Sequence, residues 1–287
     1  MCDELSPGEM ASLPAISRRR FGLVGGAAVL AACHGTGASG AGAAVKESAV
    51  LVTTPDGKAD AWFFHPATGK HPGIVMWPDI AGVRDANKVM ARRLAAAGYA
   101  VLLVNQYYRS ARAPIMATLS EWRTPEGQAK LKPMIAAINP AATTRDGAAF
   151  VAWLDRQARV DHRRGIGTNG YCMGGPFTVR TALAAPDRVR AAASLHGAAL
   201  VTDGPDSPHR LLGQTRAAFL FAIGRNDDAR APGDKDALKA AAAAAGRKAE
   251  VEVYAADHGW TVPDAPSYDH AEAERAWSRM LALFATL

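Results

Sequence analysis

The sequence predicts an α/β fold with a mainly parallel central sheet and helices on both faces. Three observations lead to it. From residue 73 onward, short apolar runs alternate with helical patterns, the succession that parallel strands and their crossover helices produce. One run leads into Gly170-Tyr171-Cys172-Met173-Gly174-Gly175, a G-x-C-x-G sequence of the kind that turns a strand sharply into a helix with a nucleophile on the turn. Several other runs end in Asp, Arg or His, beyond the carboxyl ends of strands where open α/β sheets place their ligands. With 287 residues, 49% of them hydrophobic, the chain can bury one large core, so one domain behind a short leader is expected.

The leader comes first. Ser17-Arg18-Arg19-Arg20-Phe21 precedes an apolar, Gly- and Ala-rich stretch to Ala32, matching a twin-arginine signal whose apolar part is too short for a permanent bilayer span. Leu30-Ala31-Ala32-Cys33 resembles a lipobox, in which cleavage before Cys33 leaves that cysteine as the lipid anchor. Ordinary signal cleavage with release into the periplasm is the other reading. The expected boundaries are a signal at 1–32, a flexible Gly/Ala/Ser/Thr tether at 33–47 and the folded domain at 48–287. If Cys33 is lipidated, Cys172 is the one free thiol of the mature chain and no structural disulfide can form.

Two runs, at 50–54 and 61–64, flank Pro55-Asp56-Gly57 and read as a hairpin. The apolar run 73–77 reads as a strand buried on both faces. A helix is expected over 85–97, stopped by Gly98, then a strand at 99–105. A helix near 143–157 leads to the elbow strand and its helix. Strands at 191–195, 217–223 and 250–254, with helices at 234–245 and 268–284, complete the alternation. Pocket shape is expected from 107–140, whose conformation the residue pattern does not define.

On the elbow, Gly170, Gly174 and Gly175 supply the room a tight strand-helix crossing needs, and the helix N-terminus favours a reactive thiolate at Cys172. A thiol nucleophile needs a base, and the base needs a third group to orient it. Asp227 and His258 follow Cys172 in the order nucleophile, acid, histidine, each after an expected strand. Asp227 stands three residues after Gly224; Asp228 and Asp257 read as loop residues. His65, His71, His162, His209 and His270 read as solvated. His196 follows a strand and reads as a satisfied structural histidine, with a place on the pocket wall as the other reading. The backbone N–H groups of Ile80 and Met173 are placed to receive a developing oxyanion.

These residues resemble the dienelactone hydrolase family of the α/β-hydrolase fold. Its Gly-Tyr-Cys-x-Gly-Gly elbow stands at 170–175, its Gly-x-x-Asp turn at 224–227, its histidine loop at Asp257-His258-Gly259-Trp260 and its aromatic-x-Arg at Tyr107-Tyr108-Arg109. The resemblance runs from about residue 50 to the C-terminus. It implies hydrolysis of esters and lactones without metal or organic cofactor, with Asp79, Tyr108, Arg109 and Trp260 at substrate-binding positions. Arg109 would hold a substrate carboxylate, and Asp79 would take the place of the carboxylate, usually Glu, that meets the resting thiol. Four residues after the histidine, where members acting on dienelactone carry a second arginine, stands Val262, which leaves general esters or lactones as the expected substrates.

The net charge of +6 is spread without a long basic run, so a nucleic-acid partner is not expected. The expected partner is a small ester or lactone, with membrane contact only through the N-terminal lipid. Two other readings use the same residues: a binding lipoprotein that keeps the fold without turnover, and acyl or peptidyl transfer through the same thiol.

Overall fold

The computed structural model describes residues 44–287. The expected signal, Cys33 and the tether as far as residue 43 lie outside the described residues. Strand β1 (Val45–Thr54) begins inside the expected tether, because Val45, Lys46 and Glu47 continue its ladder with β2 (Gly57–Pro66) as far as Pro66. The turn between them is the expected one, with Gly57 at φ 140°, a region open to glycine.

Eight strands form one sheet in the order β1-β2-β4-β3-β5-β6-β7-β8. β2 runs antiparallel to both neighbours; β3 (Gly73–Trp77), β4 (Ala100–Val104), β5 (Ile166–Tyr171), β6 (Val189–Leu195), β7 (Ala218–Gly224) and β8 (Ala249–Tyr254) are parallel. Every residue of β3, β4 and β5 is buried, as expected of strands covered on both faces.

Eight α-helices accompany the sheet among the described residues. α1 (Asp85–Ala96) buries Asn87, Ala91, Leu94 and Ala95 on one side, and Gly98 at φ 100° follows its end. α2 (Pro125–Ala136) lies in the stretch left undefined by the residue pattern, after a 3-10 turn at Leu119–Arg123. α3 (Pro140–Leu154) is capped by Asn139, whose side chain accepts from Ala142 N–H at 2.8 Å, a contact that satisfies one orphan donor. α4 (Gly175–Ala184) follows the elbow, and the short α5 (Pro208–Leu211) and α6 (Arg225–Arg230) precede α7 (Asp234–Ala244). α8 (His270–Phe284), capped by Asp269, buries Ala273, Ala276, Met280 and Phe284.

The two faces carry separate cores. Leu94 of α1 and Met280 and Phe284 of α8 pack with Ile74, Met76 and Leu103 on one; Phe150, Val179 and Leu238 of α3, α4 and α7 pack with Val75, Trp77 and Phe219 on the other. All six parallel strands therefore direct their carboxyl ends, where the candidate residues stand, to one edge of the domain. No helix of the described residues is long and apolar enough to cross a membrane.

Candidate active site

β5 passes into a single 3-10 turn, Cys172–Gly174, and then into α4. Cys172 has φ 53°, the left-handed region that costs a side-chain-bearing residue about 1–3 kcal/mol and persists where the surroundings enforce it. The glycines on either side make the tight crossing possible. A Cβ on Gly170 would stand 2.1 Å from the carbonyl oxygen of Gly174, and one on Gly174 would stand 2.6 Å from that of Pro78. The thiol is half-buried and in no disulfide.

β7 ends at Gly224, and α6 starts at once, so Asp227 sits in its first turn rather than in an open loop. Asp227 Oδ2 lies 2.8 Å from His258 Nδ1. The histidine loop after β8 is pinned by the side chain of Asn226, whose Oδ1 accepts the His258 N–H at 2.8 Å. Burial by itself lowers the His258 pKa; hydrogen bonds to Asp227 and Cys172, with the negative charge of both, outweigh it and push the pKa up to about 10. The imidazole thus bonds the Asp227 carboxylate through Nδ1 and borders the same cavity as Cys172. Asp228 bonds Lys235 at 2.7 Å and Asp257 pairs with Arg225 at 2.8 Å, each on the periphery of this group.

A cavity of about 620 Å³ opens over Cys172 and His258, walled by Ile80, Leu119, Trp122 and His196 among others. The Ile80 carbonyl accepts from the Tyr107 hydroxyl at 2.7 Å, which holds the loop after β3 against the elbow. Among the described residues no cluster of His, Cys, Asp and Glu is arranged to hold a metal ion.

Four expected substrate-binding residues stand differently. Arg109 does not border the cavity: its two terminal nitrogens hold Asp146 at 2.8 Å each and its Nε reaches Asp56 at 3.1 Å. The hairpin turn and α3 both turn carboxylates toward it, and a bidentate, partly buried pair is a stronger partner than open solvent. Tyr108 is drawn into the same group through Asp146 at 2.8 Å and Thr54 at 2.7 Å. Trp260 is fully buried and stacks on Tyr254 with ring centroids 5.2 Å apart. Asp79 does border the cavity, but both its oxygens are taken by Arg84, at 2.8 and 2.9 Å. Val262 is a core residue.

Asn226 and Arg84 escaped the sequence reading, and Tyr107 entered it only as the aromatic of the arginine motif. Asn226 had a signal, standing beside Asp227 at a strand end; Arg84, inside a helix-start pattern, had none. The guanidinium groups that do border the cavity are exposed ones, Arg123 and Arg230.

The fold and the elbow define an α/β hydrolase. The family model of the dienelactone hydrolase family matches residues 59–287, and the chain belongs to that family. A relative from Escherichia coli (strain K12) named "Putative carboxymethylenebutenolidase" is 28% identical over 221 residues, 75% of this chain and 77% of its own. One of the same name from Methylorubrum extorquens is 28% identical over 237 residues, 80% of this chain and 78% of its own. The crystal structure of a "Putative Dienelactone Hydrolase" from Klebsiella pneumoniae superposes with a TM-score of 0.74 at 24% identity, over 85% of this chain and 100% of that one, a likeness of fold. Membership makes this chain a hydrolase of ester or lactone substrates, and does not favour the binding-protein and acyltransferase readings.

Proposed function

We propose that the protein hydrolyses carboxylic esters or lactones through a Cys172-His258-Asp227 triad and a thioester acyl-enzyme. The observation that carries this reading is the 2.8 Å contact of His258 Nδ1 with Asp227, which leaves the other ring nitrogen for the sulfur on the strained turn. The sulfur attacks the substrate carbonyl carbon, and the carbonyl π pair moves onto oxygen, where the N–H groups of Ile80 and Met173 receive the charge. The tetrahedral intermediate collapses as the C–O bond breaks and His258 gives its proton to the leaving alkoxide. His258 then takes a proton from water, whose oxygen attacks the thioester; the C–S bond breaks, the acid leaves and the sulfur is restored. A lactone follows the same steps with its alcohol still tethered to the acyl group. Asp227 keeps the imidazole in one tautomer and stabilises its cation.

Hydrolysis of chromogenic esters by the full chain and by Cys172→Ala tests it. The variant is expected to lose nearly all turnover, and a small electrophile is expected to alkylate Cys172 at neutral pH and abolish the wild-type rate. Equal rates from both proteins would remove the thiol from the chemistry.

A substrate bearing a carboxylate is the finer reading, now supported by Arg123 and Arg230 on the cavity wall in place of Arg109. The leader sequence supports export by the twin-arginine route and anchorage through a lipid on Cys33, so that hydrolysis would occur in the cell envelope.

A further inference from the structure

His196 borders the cavity without a part in the steps above. It follows β6, is buried to 1% exposure and adopts φ 41°, a region uncommon for residues other than glycine. Its backbone N–H bonds the carbonyl of Ala222 at 2.8 Å, which prolongs the pairing of β6 with β7 and carries the ring over the sheet edge. Both ring nitrogens are engaged. The backbone N–H of Cys172 donates to Nδ1 at 3.1 Å, and Nε2 meets Thr261 Oγ1 at 2.9 Å.

A backbone donor aimed at Nδ1 decides the tautomer. That nitrogen must present its lone pair, so the ring proton is on Nε2 and Thr261 accepts it. The ring is neutral, and the His258 ring stands against it with centroids 4.8 Å apart. Tyr171 and Trp260, the other rings packed on it, bring no charge. Burial, and then the charge of His258, keep the His196 pKa well below the usual histidine value, in agreement with the geometry.

The anchored amide is that of the residue at φ 53°. Cys172 N–H is thus committed to the turn, which leaves the oxyanion to the N–H groups of Ile80 and Met173.

We infer that His196 is a positioning residue for the nucleophile: as the neutral Nε2–H tautomer it holds the Cys172 amide, and with it the elbow, and leaves His258 as the one imidazole of the pair that carries the catalytic proton. The inference rests on Cys172 being the nucleophile.

Nitrogen NMR of the full chain labelled in histidine tests the tautomer directly. One ring, assigned by its loss in His196→Asn, is expected to remain the neutral Nε2–H form from pH 5 to pH 9. A ring that gains a proton in that range, or carries the Nδ1–H tautomer, overturns the inference.

Kinetics test the anchoring. His196→Asn keeps an acceptor close to the position of Nδ1, and His196→Leu keeps bulk without one. The asparagine variant is expected to hold kcat within about threefold, whereas the leucine variant loses roughly ten- to a hundredfold in kcat with KM changed less than about threefold. Equal losses in both variants overturn it. If the leucine variant does not fold, Thr261→Val leaves the ring in place and removes only its Nε2 partner: a roughly three- to tenfold fall in kcat, restored by Thr261→Ser, is expected, and an unchanged kcat overturns it. Turnover by Cys172→Ala at the wild-type rate would remove nucleophile and positioning role together. Dependence on Cys172 with a protonated or Nδ1–H His196 would remove the positioning role alone.

Discussion

Arg84 holds Asp79 by both carboxylate oxygens, at 2.8 and 2.9 Å, with each side chain 1% exposed. The same guanidinium reaches both oxygens of Asp264 at 2.7 Å, and Asp264 accepts the N–H of Leu119 at 3.1 Å. One buried cation therefore ties together the loop after β3, the loop after β8 and the cavity wall at Leu119. It also engages Asp79, the carboxylate expected to meet the thiol, by both oxygens.

Removing Arg84 leaves two carboxylates facing each other with the buried one unpaired. Arg84→Met is expected to destabilise the fold by about 3–5 kcal/mol, measured by denaturant unfolding, and to lower ester turnover as the three segments loosen. A loss below about 1 kcal/mol would mean that the cluster relaxes or hydrates readily, and the clamp would lose its assigned role.

The raised pKa of His258 has a consequence for stability. An unfolded histidine loses its proton near pH 6.5, whereas this one holds it up to about 10, so the folded state binds the proton more tightly. Its contribution is fully present below about pH 6.5 and is lost as pH rises toward 10. The Tm difference between the wild-type protein and His258→Gln is expected to narrow steadily from pH 6 to pH 10. A difference that widens over this interval would show that the imidazole is neutral in the folded protein.

Much of this could be read from the residues, for local reasons. β3 is a five-residue apolar run with every side chain buried, so its composition announced it. The elbow was legible because the spacing of Gly170 and Gly174 has a steric meaning within one turn. Asp227 and His258 could be named because each stands at a strand end. What stayed hidden depends on residues distant in sequence. Arg109 is claimed by Asp146 and Asp56, 37 and 53 positions away, and Arg84 by Asp264, 180 positions away; no local pattern shows who will compete for a guanidinium. α2 buries only Gly127 and Leu131 and contains Pro133, so it lacks the apolar stripe by which α8 was recognised.

Export is tested at Cys33, which lies outside the described residues. The mature protein is expected to fractionate with membranes, and Cys33→Ser to appear unprocessed or in the soluble periplasmic fraction. Wild-type protein found wholly in that soluble fraction would end the lipid-anchor reading and leave export alone.

Substrate charge is tested at three arginines. Arg123 and Arg230 border the cavity and are exposed; Arg123 has no ion pair among the described residues, and Arg230 stands 3.5 Å from Asp227. Asp257 also borders the cavity, but it is paired with Arg225 at 2.8 Å, which leaves Arg123 as the cation there without a carboxylate partner among the described residues. Solvent-exposed charges contribute about 0.2–1 kcal/mol each. The double variant Arg123→Ala/Arg230→Ala is therefore expected to lose roughly two- to thirtyfold more in kcat/KM on carboxylate-bearing esters than on neutral esters of similar size, any loss common to both sets coming from the Arg230 contact with Asp227. Raising the salt should shrink the gap between the two substrate sets. Arg109→Ala is expected to do the reverse: it strands the buried Asp146 carboxylate, so stability falls while the ratio between anionic and neutral substrates stays as in the wild type. A selective loss on anionic substrates in Arg109→Ala, or its absence in the double variant, would return substrate recognition to Arg109 and require its ion pairs with Asp146 and Asp56 to open on binding.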